Sequence, residues 1–324
     1  MSVTQSVKRP LVVLTGPTAV GKTKLSIALA KAIGGEILSA DSMQVYKHMD
    51  IGSAKIRPEE MQGVPHHLID ILEPWEEFNV VVFQKRCLEC MEQIYDRGHI
   101  PILVGGTGFY IQAVLRGIDF TENEENTEYR EKMEQLAKEK GPEVLHDMLR
   151  KIDPVSAENI HTNNIKRTIR ALEYYELTGE PISAHNEREK ERTSPYNFSY
   201  FVLTDDREKL YARIENRIDE MMSEGLVEEV RSLKTKGCHR GMVSMQGLGY
   251  KEILEYLDGE CSLEEAVYTL KRDTRHFAKR QLTWFRRENE VTWLDKQQFD
   301  YDEEKILEYM IKELGEKGIY EKQQ

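Results

Sequence analysis

The run Gly16-Pro17-Thr18-Ala19-Val20-Gly21-Lys22-Thr23 matches GxxxxGK[ST], a spacing that builds a cradle for phosphate groups. Its glycines let successive backbone N–H groups curl around an anion, and the helix that follows adds the positive end of its dipole. Lys22 supplies a point charge, and the hydroxyl of Thr23 can ligate Mg²⁺. The pattern specifies a phosphate or diphosphate; it does not specify ATP. Asp41 follows the next apolar run and could accept a proton from a substrate held over this loop, or could equally cap a helix. Arg213 and Arg217 stand four apart, on one face of a predicted helix, where they could clamp a diphosphate leaving group. The alternative is an ion-paired surface face with Glu215, Asp219 and Glu220.

A second group of residues points to a polyanion. Lys271, Arg272, Arg275, Lys279, Arg280, Arg286 and Arg287 lie within one stretch whose single acid is Asp273, in a chain of formal net charge −12. A local basic patch against an acidic background suggests a specific nucleic-acid partner rather than bulk attraction, or else a solvated charged face. Arg275 and Lys279 share a helical face, with Phe277, Trp284 and Phe285 expected on the complementary side. Lys166-Arg167 with Arg170 form another basic cluster. The adjacent His66 and His67 cannot both point at one site from a regular element and read as structural. Cys87 and Cys90 have no second pair at metal-binding spacing, and their helical pattern places both on a buried face.

These residues need elements to position them. Leu11 to Leu14, Glu36 to Ser39, Ile100 to Val104 and Phe198 to Leu203 are short apolar runs of the kind that form buried parallel strands. Lys24 to Ile33, the residues after Gly108 through Leu115, and Arg207 to Gly225 read as helices. The alternation predicts an α/β fold, a phosphate-loop-containing parallel sheet flanked by helices. Ligands of such sheets bind at the carboxyl ends of the strands. The strand ending at Val104 runs into Gly105-Gly106-Thr107 with no acid to hold a metal, which disfavours an NTP-hydrolysing motor. From Thr121 to about Glu191 the rhythm breaks into charged, helix-forming sequence, read as a helical insertion. The expected division is a core of residues 1–118 and 192–324 around an insertion of 119–191. From Ser262 the chain reads as helical, with Ile306, Leu307, Met310, Ile311 and Leu314 as a docking stripe.

Hydrophobic residues make up 40% of the 324 and charged residues 31%, ordinary values for a globular protein with a sizeable core. There is no secretory signal and no apolar run of bilayer length, and only four cysteines. A cytoplasmic, monomeric, disulfide-free protein with no membrane contact is expected.

With GPTAVGKT, the segments SADSMQVYKHMDIGSAK, GVPHHLIDI, VGGTGFY, IKRTIRALE, QGLGYKE and TRHFAKRQLTWFR occur in order, to about residue 294. Together they resemble the tRNA dimethylallyltransferase (isopentenyltransferase) family. The resemblance implies transfer of a dimethylallyl group from dimethylallyl diphosphate to the exocyclic N6 amine of the adenosine 3′-adjacent to the anticodon, in tRNAs reading codons that begin with U. It implies Asp41 as general base, with Thr23 and Arg217 also catalytic. Gly16, Pro17, Thr18, Ala19, Val20, Gly21, Lys22 and Thr23 would hold the diphosphate with Arg213 and Arg217, and Thr23 would ligate Mg²⁺. Asp41, Ser42, Met43 and Gln44 would border the target base. Thr107, Arg130, Lys166, Arg167, Thr168, Ile169, Arg170, Gln246, Gly247, Leu248, Gly249, Tyr250 and Lys251, with Arg275, Lys279 and Arg280 of the basic stretch, would contact the anticodon stem-loop. Two departures stand out: Asn163-Asn164 where the family pattern has Asn-Asp, and no C-terminal zinc finger of the kind some eukaryotic members carry, which suits a bacterial-type enzyme. Two rivals remain. A small-molecule or nucleotide kinase shares the phosphate loop but has no use for the basic stretch. A non-catalytic RNA-binding switch would be indifferent to Asp41.

Overall fold

A computed structural model describes residues 8–120, 127–190 and 192–321. Residues 121–126 and Glu191, at the edges of the expected insertion, lie outside the described residues, as do 1–7 and 322–324. The chain divides into two compact units, one of Met1–Leu115 with Pro195–Gln324 and one of Arg116–Ser194.

Along the chain the elements are β1 (Arg9–Thr15), α1 (Lys22–Ile33), β2 (Gly35–Ala40), β3 (His66–His67), α2 (Val80–Asp96), β4 (Ile100–Gly105) and α3 (Gly108–Arg116). There follow α4 (Thr127–Lys140), α5 (Pro142–Ile152), α6 (Pro154–Asn159), α7 (Ile165–Thr178) and α8 (Ile182–Lys190). The chain closes with β5 (Tyr196–Thr204), α9 (Arg207–Glu224), α10 (Leu226–Thr235), α11 (Tyr250–Leu257), α12 (Leu263–Phe285), β6 (Val291–Asp295) and α13 (Glu303–Glu316).

In the first unit six strands form one sheet in the order β3-β2-β4-β1-β5-β6. Every pairing is parallel, with Val12 opposite Ile102 on one side of β1 and opposite Ser199 on the other. Helices cover a parallel sheet on both faces, so its central strands read as continuous apolar runs. Leu11 to Leu14 are fully buried for this reason, as are Ile102 and Leu103. Two strands were not anticipated. β3 is two histidines long, and β6 interrupts the helical reading of the chain after Ser262. The stripe on α13 does dock, with Ile306, Met310 and Leu314 fully buried in the core. Cys87 is buried, but Cys90 only half so.

The histidines of β3 are structural. His66 Nδ1 bonds to the Val64 carbonyl at 2.8 Å, and His67 Nε2 meets Glu36 at 2.6 Å. Glu36, 2% exposed at the start of β2, also takes a forked pair of bonds from Arg97 and one from His99 Nδ1 at 2.6 Å. The Arg97 guanidinium, ahead of the opposing effect of burial, holds this carboxyl down at about 2.

The second unit is helical throughout its described residues, around Leu145, Leu149, Ile169 and Leu172. Asp153 ties α6 to α8: its carboxylate accepts from the amide and hydroxyl of both Ser156 and Ser183. Burial would raise its pKa, yet these hydrogen bonds leave it lowered. Asn164, the departure from the family pattern, still caps α7, accepting from Arg167 N at 3.4 Å.

Glu36→Gln should cost about 2–3 kcal/mol of stability at neutral pH, the lower end for breaking a buried ion pair because Arg97 can rehydrate. Since the folded pKa lies below the unfolded one, that stabilisation is present above about pH 4.5 and fades toward pH 2. Denaturant titrations of wild type and variant should therefore converge over that window.

Candidate active site

The phosphate loop leaves β1 at Thr15, whose hydroxyl donates to the Gly105 carbonyl at 2.6 Å and so locks the ends of β1 and β4 together. Gly16 adopts φ +148, and a Cβ there would sit 2.3 Å from the Leu203 carbonyl oxygen, so no other residue fits against β5. Four side chains, from α1, α9, α12 and the turn after β6, grip the loop backbone. Lys22 Nζ donates to the carbonyls of Gly16 at 3.0 Å and Pro17 at 2.8 Å. Arg213 Nε donates to Ala19 O at 3.0 Å, and Lys296 Nζ to Val20 O at 3.3 Å. Gln281 accepts from the Thr18 amide at 2.9 Å. Val20 is fully buried and anchors the loop in the core.

The two arginines of α9 divide. Arg213, besides holding Ala19, forms an ion pair with Asp205 at 2.5 Å. It supports the loop rather than reaching out as half of a clamp. Asp205, its side chain fully buried, stands directly after β5, a strand-end carboxylate on β5 rather than on β4. Arg217 has no hydrogen-bond or ion-pair partner among the described residues, so the ion-paired alternative does not describe it; Arg275 and Lys271 take Glu215 and Asp219 instead. Burial, and then the neighbouring Arg217 charge, push Lys22 down to about 8 against the pull of Asp41. Burial likewise lowers Arg217, with Asp41 opposing. Two cations and one carboxylate thus share one field over the loop.

Asp41 follows β2. One of its oxygens, Oδ1, accepts from the amides of Met43 at 2.8 Å and Gln44 at 3.3 Å. The other has no partner among the described residues. Asp41 thus caps through one oxygen and leaves the other open as a candidate proton acceptor. Beneath lies an aromatic cluster in which Phe83 stacks on Tyr110 with centroids 4.6 Å apart. Burial, then Tyr46 and Asp41, push the Tyr110 phenol up to about 12. Gln44 bonds to Ser39 and to the carbonyls of Ser53 and Ala54. That loop is gripped twice. Lys55 Nζ bonds to Tyr46 O, Asp50 and Asp70, and Glu229 accepts the amides of Asp50, Ile51 and Gly52.

Several expected RNA contacts require correction. Tyr250 is fully buried, and its hydroxyl donates to Glu229 at 2.8 Å, so it braces the 50–52 loop and cannot touch RNA. Thr168 and Ile169 face inward on α7, 1% and 4% exposed. Arg130 and Arg170 in the second unit both bind the buried Glu173, Arg130 through a forked pair of bonds, but both guanidiniums stay partly exposed. Lys166 and Arg167 open α7. Met43 packs against Gly247, and Gln246 donates to the Arg240 carbonyl. Gly249 donates to Glu252; Lys251 pairs with Glu252 and Asp273; Leu248 is half-buried. Thr107 donates its amide to Ala40 O at 3.3 Å, and Ser42 is half-buried beside Asp41. On α12, Lys279 and Arg280 line an open cleft of about 490 Å³ with His276, Thr283, Trp284 and Arg287. Trp284 is thus on the basic side rather than the complementary one, because Arg280 and Trp284 are four apart and share a face. Gln281, Lys296, Asp205 and Glu229 were all missed. Only Asp205, at the end of an apolar run, carried a local signal.

The hydroxyl of Thr23 is exposed in the first turn of α1 with no protein partner among the described residues, which suits a Mg²⁺ ligand. Among the described residues no cluster of three His, Cys, Asp or Glu could hold a metal by itself, so the remaining ligands there would be anion oxygens and water.

Corrected for the ligand's own protonation, the affinity for inorganic diphosphate with Mg²⁺ should hold steady below about pH 8 and fall up to about tenfold per unit above it, as Lys22 loses its proton. Arg217→Ala should weaken binding roughly tenfold or more below pH 8 and move that break upward, because one of the two causes that depress Lys22 is gone. Equilibrium dialysis of labelled diphosphate from pH 6.5 to 9.5 checks both.

The family model described as IPP transferase matches residues 44–288, and one described as isopentenyl transferase matches residues 10–71. A tRNA dimethylallyltransferase of Lachnoclostridium phytofermentans is 64% identical over 96% of this chain and 99% of its own. The crystal structure of a full-length tRNA isopentenylpyrophosphate transferase from Bacillus halodurans superposes with a TM-score of 0.72 at 47% identity, covering 96% of this chain and 98% of that one. A eukaryotic dimethylallyltransferase acting on tRNA gives 0.74 at 31% identity, covering 89% of this chain and 74% of its own. With matching motifs, matching length and a matching fold, the chain belongs to the IPP transferase family of prenyl-transferring enzymes.

Proposed function

We propose that this chain transfers the dimethylallyl group of dimethylallyl diphosphate to the exocyclic N6 amine of the adenosine 3′-adjacent to the anticodon, in tRNAs reading codons that begin with U, releasing diphosphate. The observation that carries this reading is the shared field of Lys22, Arg217 and Asp41 over a phosphate loop.

An adenine amino group is a poor nucleophile because its lone pair is delocalised into the ring. The allylic carbon compensates by gaining positive charge as its C–O bond breaks. Catalysis then depends on neutralising the departing diphosphate and on a nearby proton acceptor. Lys22 and Arg217 meet the first need. Asp41 meets the second through Oδ2, while the Met43 and Gln44 amides fix the carboxylate by Oδ1. The Thr23 hydroxyl, with diphosphate oxygens, would hold Mg²⁺, which would supply further charge neutralisation. Arg213 acts one step back, by shaping the loop. An adenosine in an anticodon loop can be flipped into the site at a cost of a few kcal/mol. Lys279, Arg280 and Trp284 offer charge and a stacking surface to RNA, and Lys166, Arg167, Arg130 and Arg170 offer charge from the second unit. The protein acts as a cytoplasmic monomer; no helix among the described residues is long and apolar enough to cross a membrane.

The test is label transfer from radiolabelled dimethylallyl diphosphate to unmodified tRNA with Mg²⁺, beside an ATP-only control. Label should enter tRNA, and Asp41→Ala should lower kcat by roughly 10²–10⁴ while the donor KM changes little. Phosphoryl transfer from ATP with no label in tRNA would replace this reading with that of a kinase.

A further inference from the structure

Gln281 makes contacts that packing alone does not require. It lies on the buried face of α12 between Ala278 and Phe285, both fully buried, and is itself 6% exposed. Its Oε1 accepts from the Thr18 amide at 2.9 Å, and its Nε2 donates to the Gly106 carbonyl at 2.9 Å. One carboxamide therefore bridges the phosphate loop after β1 and the glycine loop after β4. The two partners fix its orientation, because exchanging N and O would set donor against donor at Thr18 and acceptor against acceptor at Gly106. Gly106 is matched to it: a Cβ there would lie 2.1 Å from Nε2, with its next contact at 3.3 Å on the same side chain.

The bond at Thr18 commits that amide to the protein. The anion must then be cradled by the amides that follow, beginning at Ala19. Ala19 sits at φ +61, a left-handed conformation that strains a residue with a side chain. It is held there from both sides, by Gln281 on the preceding amide and by Arg213 on its own carbonyl. We infer that Gln281 is a positioning residue for the diphosphate: by fixing the Thr18 amide it holds the left-handed turn at Ala19 that aims the remaining amides at the anion. The inference deepens the prenyl-transfer reading and rests on it only for the identity of the donor.

The test compares Gln281→Met, which keeps length and packing volume but removes both hydrogen bonds, with Gly106→Ala, which displaces the carboxamide from the other side. Thermal midpoints and circular dichroism establish that each is folded. In both variants the Kd for inorganic diphosphate with Mg²⁺ and the donor KM should rise about tenfold, the worth of one or two lost hydrogen bonds. The kcat at saturating donor and the tRNA KM should stay within about threefold. A folded Gln281→Met that binds diphosphate as wild type does overturns the inference, as does a fall in kcat with unchanged donor KM. If Gln281→Met does not fold, Gly106→Ala decides on the same criteria. Absence of label transfer by the wild type would count against the prenyl-transfer reading alone, since the diphosphate titration does not depend on it.

Discussion

A cradle that offers its backbone N–H groups to an anion turns its carbonyls the other way, and those carbonyls need partners of their own. Much of the first unit is arranged around that need. Gly16 and Pro17 are served from within the motif by Lys22, Ala19 by Arg213 of α9, and Val20 by Lys296 from the turn after β6. The loop is thus sequence-local, but its shape is not. It depends on elements that come 194 to 276 residues later. The same logic recurs around the second loop of the site, where the Glu229 carboxylate collects the three consecutive amides of Asp50 to Gly52 and the buried Tyr250 hydroxyl as well.

Charge in the site is uneven for a reason. Most basic side chains of the first unit that approach the loops are neutralised by partners: Arg213 by Asp205, Arg275 by Glu215, Lys271 by Asp219. Arg217 has no such partner among the described residues, beside a lysine that burial already depresses. An arrangement that disfavours the protein alone is what favours an incoming polyanion, since the ligand relieves the repulsion between the two cations and restores the lysine proton.

The parallel sheet was legible because β1, β2, β4 and β5 are continuous apolar runs, as strands buried on both faces must be. β3 was not, since two histidines carry no periodicity; the pairing is held by the Ile37 amide, which donates to the Pro65 carbonyl, and by the contact of His67 with Glu36. β6 follows a highly charged stretch and buries only Leu294 fully, so nothing in its local pattern sets it apart from the helices around it. The phosphate loop, Asp41 and Arg217 were singled out as candidates from spacing and motif. The division of labour between Arg213 and Arg217 was invisible, because it depends on Asp205 and on a carbonyl at Ala19. Motif matching also counted Tyr250, Thr168 and Ile169 as contacts because it does not distinguish a side chain that touches a substrate from one that holds the backbone beneath it. Helical periodicity alone would have turned Ile169 and Leu172 inward.

The strand order has a consequence for how the chain is made. β1 is central, yet one of its two neighbours, β5, pairs Tyr196 with Arg9, and every residue of the second unit must be synthesised in between. At about 5–20 residues per second, the ribosome exposes one flank of β1 for roughly ten to forty seconds before its partner exists. An unpaired apolar strand edge held open for that long invites pairing with other chains. The second unit has its own core around Leu145 and Leu172 and can fold during the wait, so the nascent chain presents one exposed strand flank instead of that flank together with an unfolded insertion.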